Sequence, residues 1–288
     1  MTVSVSERLL QTKAFIDQAL DACLPSAEEE PRLVHEAMHY AVLGGGKRLR
    51  PLLTLGVCEV AGAPPERVID AACAVELAHT ASLVLDDLPC MDDAATRRGR
   101  PCTHIQYGKA TAILTAIGLL ARAFDLLAHN AQRARPAVMA ADAVAELAAA
   151  VGTRGLVCGQ HMDLMLRGGR PSLDELEQEH RLKAGVLFIA AVRIPALLLN
   201  LSVDVRACLD TYARGLGLAF QVIDDLVDAR APREDAGKTT FETHLGSGGA
   251  RRRAHALITQ AAEALAPLGE DAGTLRRIAE HVRANIES

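Results

Sequence analysis

Four carboxylates fall within eight residues of this chain, Asp86, Asp87, Asp92 and Asp93, and two arginines, Arg97 and Arg98, follow them. Asp86 and Asp87 close an apolar run through Ala81, Leu83, Val84 and Leu85, so they stand at the end of an element and not in a loose acidic tail. Two ionised carboxylates about 4 Å apart repel by roughly 4 kcal/mol at an effective dielectric of 20. A raised pKa, full solvation or a cation has to offset that. Mg2+ is a hard cation that takes one or two carboxylates together with phosphates and water. Arg97 and Arg98 then read as diphosphate clamps, not as partners that cancel the acids. A solvated helix end explains one such cluster, but the chain repeats it. Residues 220–228, Phe-Gln-Val-Ile-Asp-Asp-Leu-Val-Asp, set Asp224, Asp225 and Asp228 in another apolar run. Positions 224 and 228 share a helix face one turn apart, where like charges weaken an isolated helix. Two such clusters point to metal sites.

The cations that would complement them are equally patterned. Gly44-Gly45-Gly46 stops a helix and leads through Lys47-Arg48-Leu49-Arg50-Pro51 into an apolar run at 52–60. Basic residues at a helix start suit an anion, since the backbone N–H groups and the dipole favour negative charge there. The spacing is not that of a P-loop. His79 lies seven residues, two helical turns, before Asp86. Lys183 sits within an otherwise apolar helical segment, where a cation points into the body of the molecule if the face is right. Gly237-Lys238 follows Asp228 closely enough to fold back over a site. Gln160 and Asp163 read as structural.

The elements that must position these groups are helices. The chain has 288 residues, 50% of them hydrophobic but only 3% aromatic and none Trp, so its core is built from Ala, Leu, Val and Ile. Such segments favour helix over strand. Helical periods run through 4–24, 31–43, 65–88, 109–129, 138–166, 205–229 and 250–286, with a Ser172–Glu175 capping box opening a further one. No strand-like alternation interrupts them. One all-α domain over 1–288, a bundle of long helices, is the expectation. A net charge of −5 argues against nucleic acid as partner. Seven cysteines without C-x-x-C spacing fit reduced thiols in a cytoplasmic protein. No secretory leader and no membrane span of about 18 uncharged apolar residues is expected.

Taken in order, Gly-Gly-Lys-Arg-Leu-Arg-Pro (45–51), Asp-Asp-Leu-Pro-Cys-Met-Asp (86–92), Arg-Arg-Gly-Arg-Pro (97–101), the 220–228 segment and Gly-Lys (237–238) resemble the trans-type polyprenyl diphosphate synthases. The resemblance spans nearly the whole chain. It implies a homodimer of helical bundles, each around a deep central cavity, that adds isopentenyl diphosphate to an allylic diphosphate with three Mg2+ ions. It implies that Asp86, Asp87, Asp92, Asp224, Asp225 and Asp228 ligate Mg2+, some through water. Lys47, Arg50, His79 and Arg98 would hold isopentenyl diphosphate, and Arg97, Lys183, Gln221 and Lys238 the allylic partner. The chemistry implied is ionisation to an allylic cation, attack by the isopentenyl double bond and loss of a proton.

The chain departs from the family at three places. Ala94 and Ala95 stand where many relatives carry further acids, Ala184 replaces a common threonine, and the loop after Asp228 lacks a second Gly-Lys-Asp unit. The product tail should run past Ala81 and Ser82, one turn before Asp86. Both are small where C15 synthases often carry an aromatic, so a C20, geranylgeranyl, product is expected, with C15 as the alternative. A class I terpene cyclase would not need the second anion site around Lys47 and His79. A non-catalytic subunit of a heteromeric synthase could lose its carboxylates, and all six are present.

Overall fold

The computed structural model describes the backbone of residues 5–133, 138–228 and 239–286 and the side chains of 10–130, 141–227 and 239–286. Contacts gather the chain into two compact units, Met1–Leu55 with Pro64–Val144, and Gly56–Ala63 with Ala145–Ser288. The all-α expectation holds.

The first unit contains α1 (Val5–Cys23), α2 (Arg32–Leu43), the start of α3 (Leu49–Val60), α4 (Ile69–Asp86), α5 (Thr103–Tyr107), α6 (Lys109–Arg133) and the start of α7 (Val138–Val151). Between α4 and α5 lies a ribbon of two short strands, β1 (Thr96–Arg97) and β2 (Arg100–Pro101). Helix α4 is the core of this unit, since every residue from Ala71 to Ala78 is buried. A helix apolar on all sides is one surrounded by other elements. Its main neighbour is α6, which turns Ala112, Ala116, Leu119 and Ala123 inward at helical spacing. The small side chains let the two axes approach. Among the described residues α6 is also the one helix long and apolar enough to cross a membrane, but its length is laid along α4 and α2. Its outer face exposes Ile113, Leu114 and Ile117.

The ribbon was not legible as strand. Arg98 and Gly99 both have positive φ, 54° and 74°, between the paired residues Arg97 and Arg100. That is the two-residue turn whose twist matches an antiparallel ribbon, and two-residue strands leave no alternation to read.

The second unit contains the rest of α3 and α7, then α8 (Leu156–Leu166), α9 (Leu173–His180), a π-helical turn (Arg181–Gly185), α10 (Val186–Leu198), α11 (Val203–Asp228), α12 (Phe241–Ala264) and α13 (Gly273–Ala284). The single helix expected over 138–166 is two, because Gly155 takes an extended conformation (φ −129°, ψ −121°) and opens α8. The capping box at α9 is present: Ser172 Oγ accepts from Glu175 N at 3.3 Å, and Glu175 Oε2 accepts from Ser172 N at 2.8 Å. Helix α11 runs through the unit's core. Tyr212 is fully buried on it, and its hydroxyl donates to Leu275 O of α13 at 2.7 Å.

Gly159 of α8 faces the π-helical turn so closely that a Cβ would lie inside the backbone of Leu182 and Lys183. Backbone cannot yield as a side-chain tip can. Gly159→Ala is therefore expected to cost roughly 1–3 kcal/mol or more through overpacking, read as a lower urea midpoint at unchanged slope. A midpoint equal to that of the parent would show that the two segments part freely.

Candidate active site

Helix α4 delivers its acids at its C-terminal end. Asp86 is its last residue and Asp87 its cap, with no basic residue in the last turn. The C-terminus of a helix carries roughly half a negative charge, so carboxylates there are held against the dipole. The chain then turns tightly, Met91 N donating to Leu88 O at 2.8 Å and Asp92 N to Asp86 O at 2.9 Å. The turn brings residue 92 back beside residue 86.

The ribbon returns two arginines to this turn. Arg97 Nε donates to both oxygens of Asp87, at 2.7 and 3.0 Å, and its Nη2 lies 2.6 Å from Oδ1. Asp87 is 3% exposed. The expectation that Arg97 would not cancel an acid is thus corrected: a buried carboxylate in reach of a fork-shaped donor takes it. The Cys102 thiol also sits against Asp87; burial, and then that carboxylate, push it up to about 12. Arg98 Nη1 donates to Gly45 O, and its guanidinium lies against Gly46 (φ 133°), where a Cβ would meet it at 2.9 Å. The glycine loop is shaped around Arg98.

Arg48 holds that loop from behind, and sequence reasoning missed it. At φ 52° and 2% exposure, it donates through Nε to Asp17 at 2.7 Å, Nη1 to Glu76 at 2.9 Å and Nη2 to Val42 O at 2.7 Å. Glu76, also 2% exposed, is the one acid in the buried run of α4. A charge inside an all-apolar stretch was the signal, because it demands a buried partner. Lys47 is exposed on the loop, and Arg50 is buried in the first turn of α3. Burial, then the positive charges of Arg50, Arg98, Arg97 and Arg48, hold His79 well below the ordinary imidazole range. Five predicted residues thus gather in one unit: Arg50, His79, Arg97, Arg98 and Asp87. Ala81 is fully buried, and Ser82 Oγ donates to His79 O at 2.8 Å within its own helix.

In the second unit Lys183 lies in the π-helical turn and its Nζ is 3.0 Å from Oδ2 of buried Asp163 on α8, which also accepts from Arg167 at 2.8 Å. Asp163 read as structural, and it is the residue that fixes this lysine. Gln221, Asp224 and Asp225 lie in the last turns of α11, again with no basic residue in the final turn. Asp225 is 8% exposed and its Oδ2 accepts from Phe241 N at 2.9 Å. The side chain of Asp228, and Lys238 altogether, lie outside the described residues.

Among the described residues no three His, Cys, Asp or Glu side chains converge as a metal cluster. Mg2+ does not require one, since it uses one or two carboxylates plus phosphate and water. The donors fit it. They are oxygen only, they stand at two negative helix ends, and the 86–92 turn returns one acid beside another.

The chain matches the family model described as polyprenyl synthetase over residues 31–269. It is 40% identical over 283 residues to a geranylgeranyl diphosphate synthase of Pseudescherichia vulneris, covering 96% of this chain and 91% of that one. It is 41% identical over 239 residues to the chloroplastic geranylgeranyl pyrophosphate synthase of Capsicum annuum, covering 82% of this chain but 63% of the pepper protein's own length. A crystal structure of an FPP/GFPP synthase from Zymomonas mobilis superposes with a TM-score of 0.88 at 36% identity, covering 95% of this chain and 96% of that one. The chain belongs to the polyprenyl synthetase family, with the all-α fold of these prenyltransferases.

Two consequences of this geometry are measurable. Glu76→Ala strands the buried Arg48 guanidinium and is expected to cost about 3–5 kcal/mol, seen as a fall in unfolding free energy; a change near zero would mean that Arg48 finds water. His79 is neutral when folded, whereas an unfolded imidazole titrates near 6.5. Below that pH the unfolded chain binds the extra proton, so stability falls as acid is added until the depressed folded pKa is passed. His79→Gln should lose less stability than the parent between pH 7 and pH 5. Equal losses would remove His79 from the account.

Proposed function

We propose that this protein is a trans-prenyltransferase that condenses isopentenyl diphosphate with allylic diphosphates of five, ten and fifteen carbons, giving geranylgeranyl diphosphate. The observation that carries the reading is the first unit's cluster of Arg48, Arg50, Arg97 and Arg98 around a neutral His79, set beside carboxylates at a negative helix end. So concentrated a positive field wants a polyanion, and the adjacent acids want a divalent cation; a diphosphate with Mg2+ meets both.

In this reading Lys47, Arg50, His79 and Arg98 hold isopentenyl diphosphate. The imidazole serves as a neutral hydrogen-bonding group, and the Arg98 fork is kept in place by Gly45 and Gly46. Arg97, Lys183, Gln221 and Lys238 hold the allylic diphosphate. Asp163 keeps the Lys183 ammonium extended, so little rotamer freedom is lost on binding. Asp86, Asp92, Asp224 and Asp228 take the metal, while Asp87 stays with Arg97 and Cys102. Mg2+ bound there supplies Lewis-acid neutralisation of the leaving diphosphate; three ions per site is the number the family resemblance implies. The allylic C–O bond breaks, the isopentenyl double bond supplies the electrons of the new C–C bond, and a proton is lost to restore the alkene.

The dimer is part of the same proposal. Ile105 of α5 and Ile113, Leu114 and Ile117 of α6 are exposed together, a stripe of the kind that marks a protein interface. We assign it to a second copy of the chain. Seven free cysteines support a reducing, cytoplasmic setting.

The test is product analysis with isopentenyl diphosphate, Mg2+ and each primer in turn. A twenty-carbon product from all three is expected. Accumulated C15 keeps the reaction class and overturns the product length; no condensation by folded protein favours the non-catalytic subunit. Ala81→Phe should shift the product toward C15, because its site has no exposed volume to absorb a ring. An unchanged product would move the chain-length floor elsewhere.

A further inference from the structure

Helix α12 begins at Phe241, and its cap leaves one job undone. Thr240 Oγ1 accepts from Thr243 N at 3.3 Å, and Thr243 Oγ1 accepts from Thr240 N at 2.9 Å. This reciprocal box serves the N-cap and the third helical residue. The first helical N–H, that of Phe241, is beyond the reach of its own cap side chain, as is usual for a group at this position. Phe241 is fully buried, so water cannot serve it either. Asp225 does, from sixteen residues earlier in the chain, with Oδ2 at 2.9 Å.

The rest of the surroundings fit that task. His180 is buried and stacks on the Phe241 ring, centroids 5.3 Å apart at 21°. Its Nε2 lies 3.6 Å from Asp225 Oδ2 and its Nδ1 3.4 Å from Oε2 of buried Glu179. Asp225 therefore faces a helix N-terminus, carrying roughly half a positive charge, and an imidazole edge. Asp224, one residue earlier, points about 100° away around the helix and is more exposed.

We propose that Asp225 is a positioning residue and not a Mg2+ ligand: it ties the first turn of α12 to the last turn of α11 by capping Phe241 N–H. The capping role is independent of the synthase reading; only the exclusion from the metal set rests on it. Asparagine keeps an oxygen acceptor at this place and alanine does not, so the two variants separate the roles.

The experiment compares Asp225→Asn, Asp225→Ala and Asp224→Asn in the full chain. Amide hydrogen exchange at the start of α12 and thermal unfolding are measured in EDTA, and the Mg2+ concentration for half-maximal rate is measured with substrates. In Asp225→Ala the Phe241 amide should exchange at least about tenfold faster, the loss of one charge-assisted hydrogen bond, with a lowered Tm. Asp225→Asn should restore most of that protection and shift the Mg2+ requirement less than the Asp224 variant does. The proposal is overturned if Asp225→Ala leaves exchange and Tm at parental values. It is equally overturned if Asp225→Asn raises the Mg2+ requirement as much as Asp224→Asn. Should even the parent protein fail to turn over, the exchange and Tm arms still decide the anchor, and the failure falls on the synthase reading alone.

Discussion

A carboxylate at the C-terminal end of a helix is held against the dipole, and this chain places carboxylates at two such ends. Neither end has a basic residue of its own in the last turn, where one would normally relieve the strain. Relief has to come from elsewhere in the fold. At α4 it is Arg97, carried back by a ribbon whose two-residue turn leaves no slack. At α11 it is the positive end of α12, presented through the Phe241 N–H. The loops after both helices are built to deliver a compensating charge.

The compensation in the first unit overshoots. Asp87 takes one guanidinium and the Glu76 and Asp17 pair takes Arg48, yet Arg50 and Arg98 remain close enough to depress His79 strongly. A neutral imidazole there is one charge fewer in an already positive field. Burying the Arg48 pair is costly in itself, and such pairs often stabilise no more than apolar residues of equal volume would. What Arg48 gives instead is geometry. Its three donors fix a left-handed backbone position between Gly46 and α3, and that fixes where Lys47 and Arg50 leave the chain. Rigid placement of cations before an anion arrives lowers the entropy lost on binding.

Much of this was legible in the sequence, for reasons that differ by residue. The acidic clusters, the glycine-to-cation step and His79 stood out because charge in apolar surroundings needs a partner. The helices were legible from their period, and Ser172–Glu175 from local capping chemistry. What the sequence hid were partnerships over distance. Nothing near Arg97 says that it pairs with Asp87 rather than waiting for phosphate. Nothing near Gly159 says that it touches the backbone of Lys183. The break at Gly155 inside 138–166 was masked because alanine-rich periods continue on both sides of it. Glu76 was readable and was passed over: a lone acid in eight buried residues is itself a prediction of Arg48.

The two Asp-Asp doublets now compare closely. In each, the second residue is the buried one, Asp87 at 3% and Asp225 at 8% exposure, and in each it accepts a hydrogen bond from a positively polarised donor of the protein. Consecutive residues on a helix diverge by about 100°, so a doublet at a helix end sends one carboxylate outward and one back into the structure. A pair of adjacent acids thus need not mean a pair of ligands. The inward member secures the following loop or helix, and the outward member, supported by that fixed backbone, is left to meet a cation. Reading all members of such a motif alike would assign to metal coordination residues whose lone pairs the fold already uses.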